Sequence, residues 1–150
     1  MPAGRLVVLG VGNSLRADDG AGCMVAVRLK ARHGGLVFDA GQTPENFIGP
    51  LRRARPDVVL LVDAADFGGD PGEVRWASAM DVEGLMLGTH AAPLSMFMSV
   101  LEQETGAFVR LLAVQAATTE LGGEPSKEVV NTIDTLVKEL ERELDGRTAP

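Results

Sequence analysis

Asp19, Asp63 and His90 are the residues whose type and position offer chemistry, because each stands where an apolar run gives way to a loop or a loop to a helix. Asp63 ends the run Val58-Val59-Leu60-Leu61-Val62, and Asp19 lies in GVGNSLRADDG (Gly10 to Gly20), straight after Leu6-Val7-Val8-Leu9. If these runs are parallel strands of one sheet, their carboxyl ends share the edge at which open α/β sheets bind ligands. Two oxygen donors and one imidazole there suit Zn, Ni, Mn or Fe, with positions left for another ligand. A buried apolar strand seldom ends in a carboxylate without a partner, a capping role or a ligand. Asp39 repeats the arrangement after Leu36-Val37-Phe38, where loop capping is about as good an account. His90, in GTHAAPL (Gly88 to Leu94), gains its weight from the carboxylates, since a lone histidine is more often structural.

The remaining candidates have plainer readings. Of Asp18 and Asp19, one suffices to cap the following helix, which leaves the other to project over the sheet edge or into water. Gly10-x-Gly12 resembles the start of a dinucleotide fingerprint, but Leu15 occupies the third glycine position and two acids follow at the helix end that would meet phosphate. A tight strand-to-loop turn explains those glycines better. Ser14 and Ser95 lack a nucleophile elbow, and Cys23, one turn inside a helix, reads as a buried inert thiol. His33, at a helix end, reads as a surface residue that compensates the helix dipole. The chain has no CxxC or HExxH.

Such residues need a scaffold, and the chain alternates short β-branched runs with longer amphipathic segments, the pattern of a mainly parallel sheet covered by helices. Strands are predicted at Arg5 to Gly10, Leu36 to Asp39, Val58 to Asp63, Val74 to Ala77 and Val109 to Gln115. A first helix is predicted from Gly20 to Arg32, with Asp18 and Asp19 as its anionic start. A second, within Glu45 to Arg55, either begins at Pro50 or bends there. A third starts at Pro93, buries Leu94, Phe97, Met98 and Leu101, and ends near Gly106. The last carries Val129, Val130, Ile133, Leu136, Val137, Leu140 and Leu144 in one stripe, with Ser126 as cap, Gly146 as stop and a frayed tail from Arg147 to Pro150. Ala64 to Gly72 and Thr118 to Glu124 are the turn-rich loops.

The 150 residues fit one domain with a real core, and 45% hydrophobic with 23% charged residues is too apolar for a disordered chain. A net charge of -7, with no basic cluster beyond Arg52-Arg53-Ala54-Arg55, disfavours nucleic acid as a partner. A single cysteine cannot close an internal disulfide, which fits a reducing compartment. Lacking a signal-peptide core or an apolar run of membrane length, the chain is expected to be cytoplasmic, uninserted in membrane and monomeric.

GVGNSLRADDG, DAGQTPEN (Asp39 to Asn46), LLVDAADFGGDPGEVR (Leu60 to Arg75) and THAAPLS (Thr89 to Ser95) together resemble the nickel-iron hydrogenase maturation endopeptidases, most of all the branch that processes the formate-hydrogenlyase-type large subunit. The resemblance runs from about Leu6 to Gln115. It implies a twisted five-stranded sheet between helices, and an enzyme that removes a C-terminal extension from the hydrogenase large-subunit precursor after nickel insertion. By motif matching, the metal-contacting residues fall on Asp19, Asp63 and His90, and Asp39 matches a further acid important for activity. The family usually has two glycines after that acid, whereas here Ala40 precedes Gly41. The nickel is then supplied by the substrate, and other divalent ions are expected to occupy the same donors in vitro. On this resemblance the scissile peptide is expected to be attacked by water activated by a carboxylate or by the metal. A non-catalytic nickel-binding chaperone or sensor with the same ligands is the rival reading, and a nucleotide-binding module rests on Gly10 and Gly12 alone.

Overall fold

The computed structural model describes residues 1–86 and 91–148. Its strands are β1 (Leu6–Val11), β2 (Val37–Gly41), β3 (Val58–Ala65), β4 (Val74–Ala77) and β5 (Phe108–Gln115). They form one sheet in the order β2-β1-β3-β5-β4, in which β4 runs antiparallel to β5 and the other pairs are parallel. The helices are α1 (Ala21–His33), α2 (Ile48–Ala54), α3 (Ala79–Leu85), α4 (Ala91–Thr105) and α5 (Lys127–Thr148).

β1 and β3 read as unbroken apolar runs because helices cover both sides of the sheet. Val7, Leu9, Val59 and Leu61 face Leu51 of α2 and Leu94, Met98 and Leu101 of α4. Their neighbours Leu6, Val8, Leu60 and Val62 face Val25 and Leu29 of α1 and Val129, Ile133, Leu140 and Leu144 of α5. From β1 the chain crosses to β2 on one side, while β3 lies on the other. The crevice at the carboxyl ends of β1 and β3 is therefore the topological switch point, the place where such sheets take ligands. α1 packs so closely beneath it that a side chain on Gly22 would overlap the carbonyls of Val62 and Val11.

Four local expectations need correction. α3 lies where no helix was expected; at seven residues it is too short for periodicity to reveal, but Ser78 and Asp81 form a reciprocal capping box at its start. α2 begins at Ile48 after a 3-10 turn, Pro44–Phe47, so Pro50 does not start it but sits in the first turn, where a missing N–H is harmless. α5 passes through Gly146 instead of stopping there. Its last turn is held by Arg147, whose guanidinium donates to the Gly4 carbonyl at 3.0 Å and to Glu143 at 3.2 Å, so the chain is helical, not frayed, as far as Thr148. Finally, the acids at positions 18 and 19 do not cap α1, because a 3-10 turn, Ala17–Gly20, moves the helix start beyond both. The Ser126 cap on α5 is present, its hydroxyl accepting from the Val129 N–H at 3.4 Å. Among the described residues, no helix is long and apolar enough to cross a membrane.

Candidate active site

Asp19 and Asp63 come together at the switch point. Asp63 stands near the end of β3, in register with Ala113 of β5. After β1 the chain turns back on itself: Ala17 adopts φ 49, a left-handed conformation uncommon without glycine, and the Asp19 carbonyl accepts from the Asn13 N–H at 3.0 Å. Gly12, at φ 145, makes that return possible. A Cβ there would overlap the Asp19 carbonyl oxygen and lie 3.6 Å from Asp63 Oδ1. Close approach of two acid-bearing segments thus accounts for this glycine without any phosphate.

Asp63 is half-buried by surface area, yet protein atoms crowd its carboxyl. That desolvation, and then the charge of Asp19, push its pKa well above the ordinary carboxylate range, against a backbone hydrogen bond from Ala64. Asp18 has the opposite surroundings. It is 0% exposed and accepts from the backbone N–H groups of Ala117 (2.8 Å), Thr118 (3.1 Å) and Ser126 (2.6 Å) and from the Ser126 hydroxyl (2.9 Å). Burial pushes this carboxyl up, but the four donors together outweigh it and hold the pKa below the usual range.

Asp39 lies on β2, in register with Gly10 of β1, and faces a groove of about 320 Å³ bordered by Gly12, Asn13, Ser14, Leu15 and Cys23. Its Oδ1 is buried without a hydrogen-bond partner among the described residues, so that oxygen caps no loop there. Gly12 borders both this groove and the Asp19–Asp63 pair. The single glycine after Asp39 suffices, because Gly41 takes the positive φ of 58 and Ala40 does not need one. Cys23 is buried, and its thiol donates to the Gly12 carbonyl at 3.5 Å. Burial first and Asp39 second push the thiol up to about 12, against hydrogen bonds from Ser14 and Gly41, so it stays neutral and inert at ordinary pH.

Ser95 spends its hydroxyl on the Ala79 carbonyl at 2.6 Å. His33 is no solvated surface residue: α5 lies against the end of α1, and its Nε2 sits 3.0 Å from Asp145 Oδ1 in a largely buried position. His90 lies outside the described residues. Among the described residues, no group of three or more His, Cys, Asp and Glu side chains could hold a metal ion.

Two contributors near the site were not foreseen. For Asp18 the sequence offers a helix cap, a place over the sheet edge or a solvated spare, whereas its partners lie about a hundred positions away. Gln115 ends β5 buried, its Oε1 accepting from the Phe67 and Gly69 N–H groups at 2.9 and 3.1 Å while Nε2 donates to Asp66 and the Ala116 carbonyl. It fixes the loop that follows Asp63. A polar group ending an apolar strand, the argument applied to Asp63, would have found it.

Residues 24–143 match the HycI family of hydrogenase maturation proteases. The hydrogenase 3 maturation protease of Escherichia coli K12 is 35% identical over 138 residues, 90% of this chain and 88% of that protein. The crystal structure of the NiFe hydrogenase maturation protease HycI from Thermococcus kodakarensis aligns with a TM-score of 0.86 and 33% identity, over 94% of this chain and 92% of that one. HybD from E. coli, at 22% identity and a TM-score of 0.74 over 96% of this chain and 94% of its own, shares the fold. The chain belongs to the HycI family of hydrogenase maturation proteases.

Proposed function

We propose that the protein removes the C-terminal extension from the large-subunit precursor of a nickel-iron hydrogenase once nickel is in place, and that it recognises this nickel as part of its substrate. The observation that carries the reading is the convergence of Asp19 and Asp63 at the switch point, where a docked protein reaches both. Two carboxylates at an open strand edge are a donor pair for a divalent ion, and His90 completes the set on this reading. Other divalent ions occupy the same donors in vitro.

Asp19 and Asp63 serve catalysis by holding the metal-bearing segment beside the scissile peptide. Water adds to the peptide carbonyl carbon, the C–N bond breaks, and the proton released from water ends on the new amine. A carboxylate takes up that proton in passing, with Asp39, across Gly12, standing outside the metal pair, or the nickel polarises the water. No acyl-enzyme is required: the Cys23 thiol is neutral and the Ser95 hydroxyl is engaged. The enzyme acts in the cytoplasm as a monomer, with neither nucleic acid nor membrane as partner.

Incubation with nickel-loaded precursor, followed by mass spectrometry, tests this. Release of one C-terminal peptide by the wild type, lost in Asp19→Asn, is the expected result; nickel binding without peptide release would make the protein a carrier instead.

A further inference from the structure

The segments 13–19 and 117–126 are bonded into one unit beside the site. The Gly122 N–H donates to the Leu15 carbonyl at 2.8 Å, the Asp18 N–H to the Thr118 carbonyl at 3.1 Å and the Arg16 guanidinium to the Thr119 carbonyl at 3.5 Å. Beneath them the Asp18 carboxylate gathers four more donors from Ala117, Thr118 and Ser126. On this polar frame stand two exposed apolar residues, Leu15 at 70% and Leu121 at 65% exposure, on backbone segments that the Gly122–Leu15 bond holds side by side.

A single exposed leucine needs no account. Two on adjoining segments of a hydrogen-bonded frame offer apolar surface on backbone that is already ordered, which a partner covers without the entropy of ordering a loop. Their position selects that partner. Leu15 precedes Asp19 by four residues on the same loop and borders the groove that holds Asp39. A protein that presents a metal to Asp19 and Asp63 docks at the loop that carries Leu15. We infer that Leu15 and Leu121 form the docking lip for an apolar surface patch of the large-subunit precursor, seating the nickel over the carboxylates. This rests on the proposed function.

The test is steady-state cleavage of nickel-loaded large-subunit precursor by Leu15→Ser, Leu121→Ser and the double variant. The double variant is expected to raise KM about tenfold or more while kcat stays within about twofold, because the lip contributes binding and not chemistry. Leu→Met at both positions restores KM, melting temperatures are unchanged, and Val27→Ser, an exposed apolar residue on α1, moves nothing. An unmoved KM in the double variant, with wild-type cleavage intact, overturns the lip and leaves the proposed function standing. Altered sedimentation of the double variant alone, with KM unmoved, assigns the lip to contacts between copies and overturns it too. Failure of the wild type to cleave the precursor overturns the proposed function, and the lip falls with it.

Discussion

Asp18 and Asp63 flank Asp19, one as its chain neighbour and the other across Gly12, and the fold treats them in opposite ways. Around Asp18 four donors converge, and the carboxylate is more acidic than usual. Around Asp63 water is displaced without comparable replacement, a like charge stands nearby, and the carboxyl is less acidic than usual. A saturated carboxylate has spent its charge on the fold. One held short of donors beside another acid has its charge in reserve for something that arrives, and carboxyls whose surroundings push their pKa values apart are a mark of divided roles.

The sharpest way to break this contrast is Asp63→Asn. Cleavage is expected to fall about a hundredfold or more, as for loss of a metal-contacting group, while stability holds or rises because a desolvated, repelled charge is gone. Single-turnover cleavage beside urea unfolding reads both. A large stability loss would make Asp63 structural and erase the distinction. Asp18→Asn should do the reverse. Its amide sets N–H against N–H at Ala117, Thr118 or Ser126, so unfolding in urea should register a loss of about 3 kcal/mol, with a smaller fall in kcat than at Asp63. A loss well under about 1 kcal/mol would mean that the clasp carries no weight.

The pH dependence of stability divides the two in sign. Asp18 has a folded pKa below its unfolded value, so its stabilisation is complete above the ordinary carboxylate range and is lost as pH falls through the lowered folded value. Asp63 has a raised folded pKa, so the fold holds its proton more tightly; that contribution is present below the ordinary range and is lost as pH rises through the raised value. In urea titrations across pH, Asp63→Asn should therefore gain on the wild type as pH rises through that upper window, and Asp18→Asn should converge with it in acid. The smallest effect is expected at Cys23→Ala: activity within about twofold and a stability change of about 1 kcal/mol, with the wild-type thiol unreactive towards alkylating reagents until the protein unfolds.

The sheet was legible because a parallel strand covered on both sides cannot alternate, so Leu6 to Leu9 and Val58 to Val62 stand out as unbroken runs. α5 was legible from its stripe, and Asp63 from a carboxylate where an apolar strand should end. What stayed hidden depends on distance along the chain. Nothing near Asp18 tells that its donors come from 117, 118 and 126, and local capping is the better guess for an acid before a glycine. His33 was hidden for the same reason, since its shelter is the far end of α5. α3 differs: Ser78-x-x-Asp81 announced it, and only its brevity concealed it.

Whether the metal is cargo or cofactor is the central claim, and paired cleavage assays answer it directly. A resident catalytic metal has dependable protein ligands with oriented supports and survives purification. The enzyme is purified, its metal content measured, and nickel-loaded and nickel-free precursor are offered side by side. The expected result is that largely metal-free enzyme releases the extension from the nickel-loaded precursor and leaves the nickel-free one whole. Equal cleavage of both, by enzyme that keeps stoichiometric, tightly bound zinc, would contradict it.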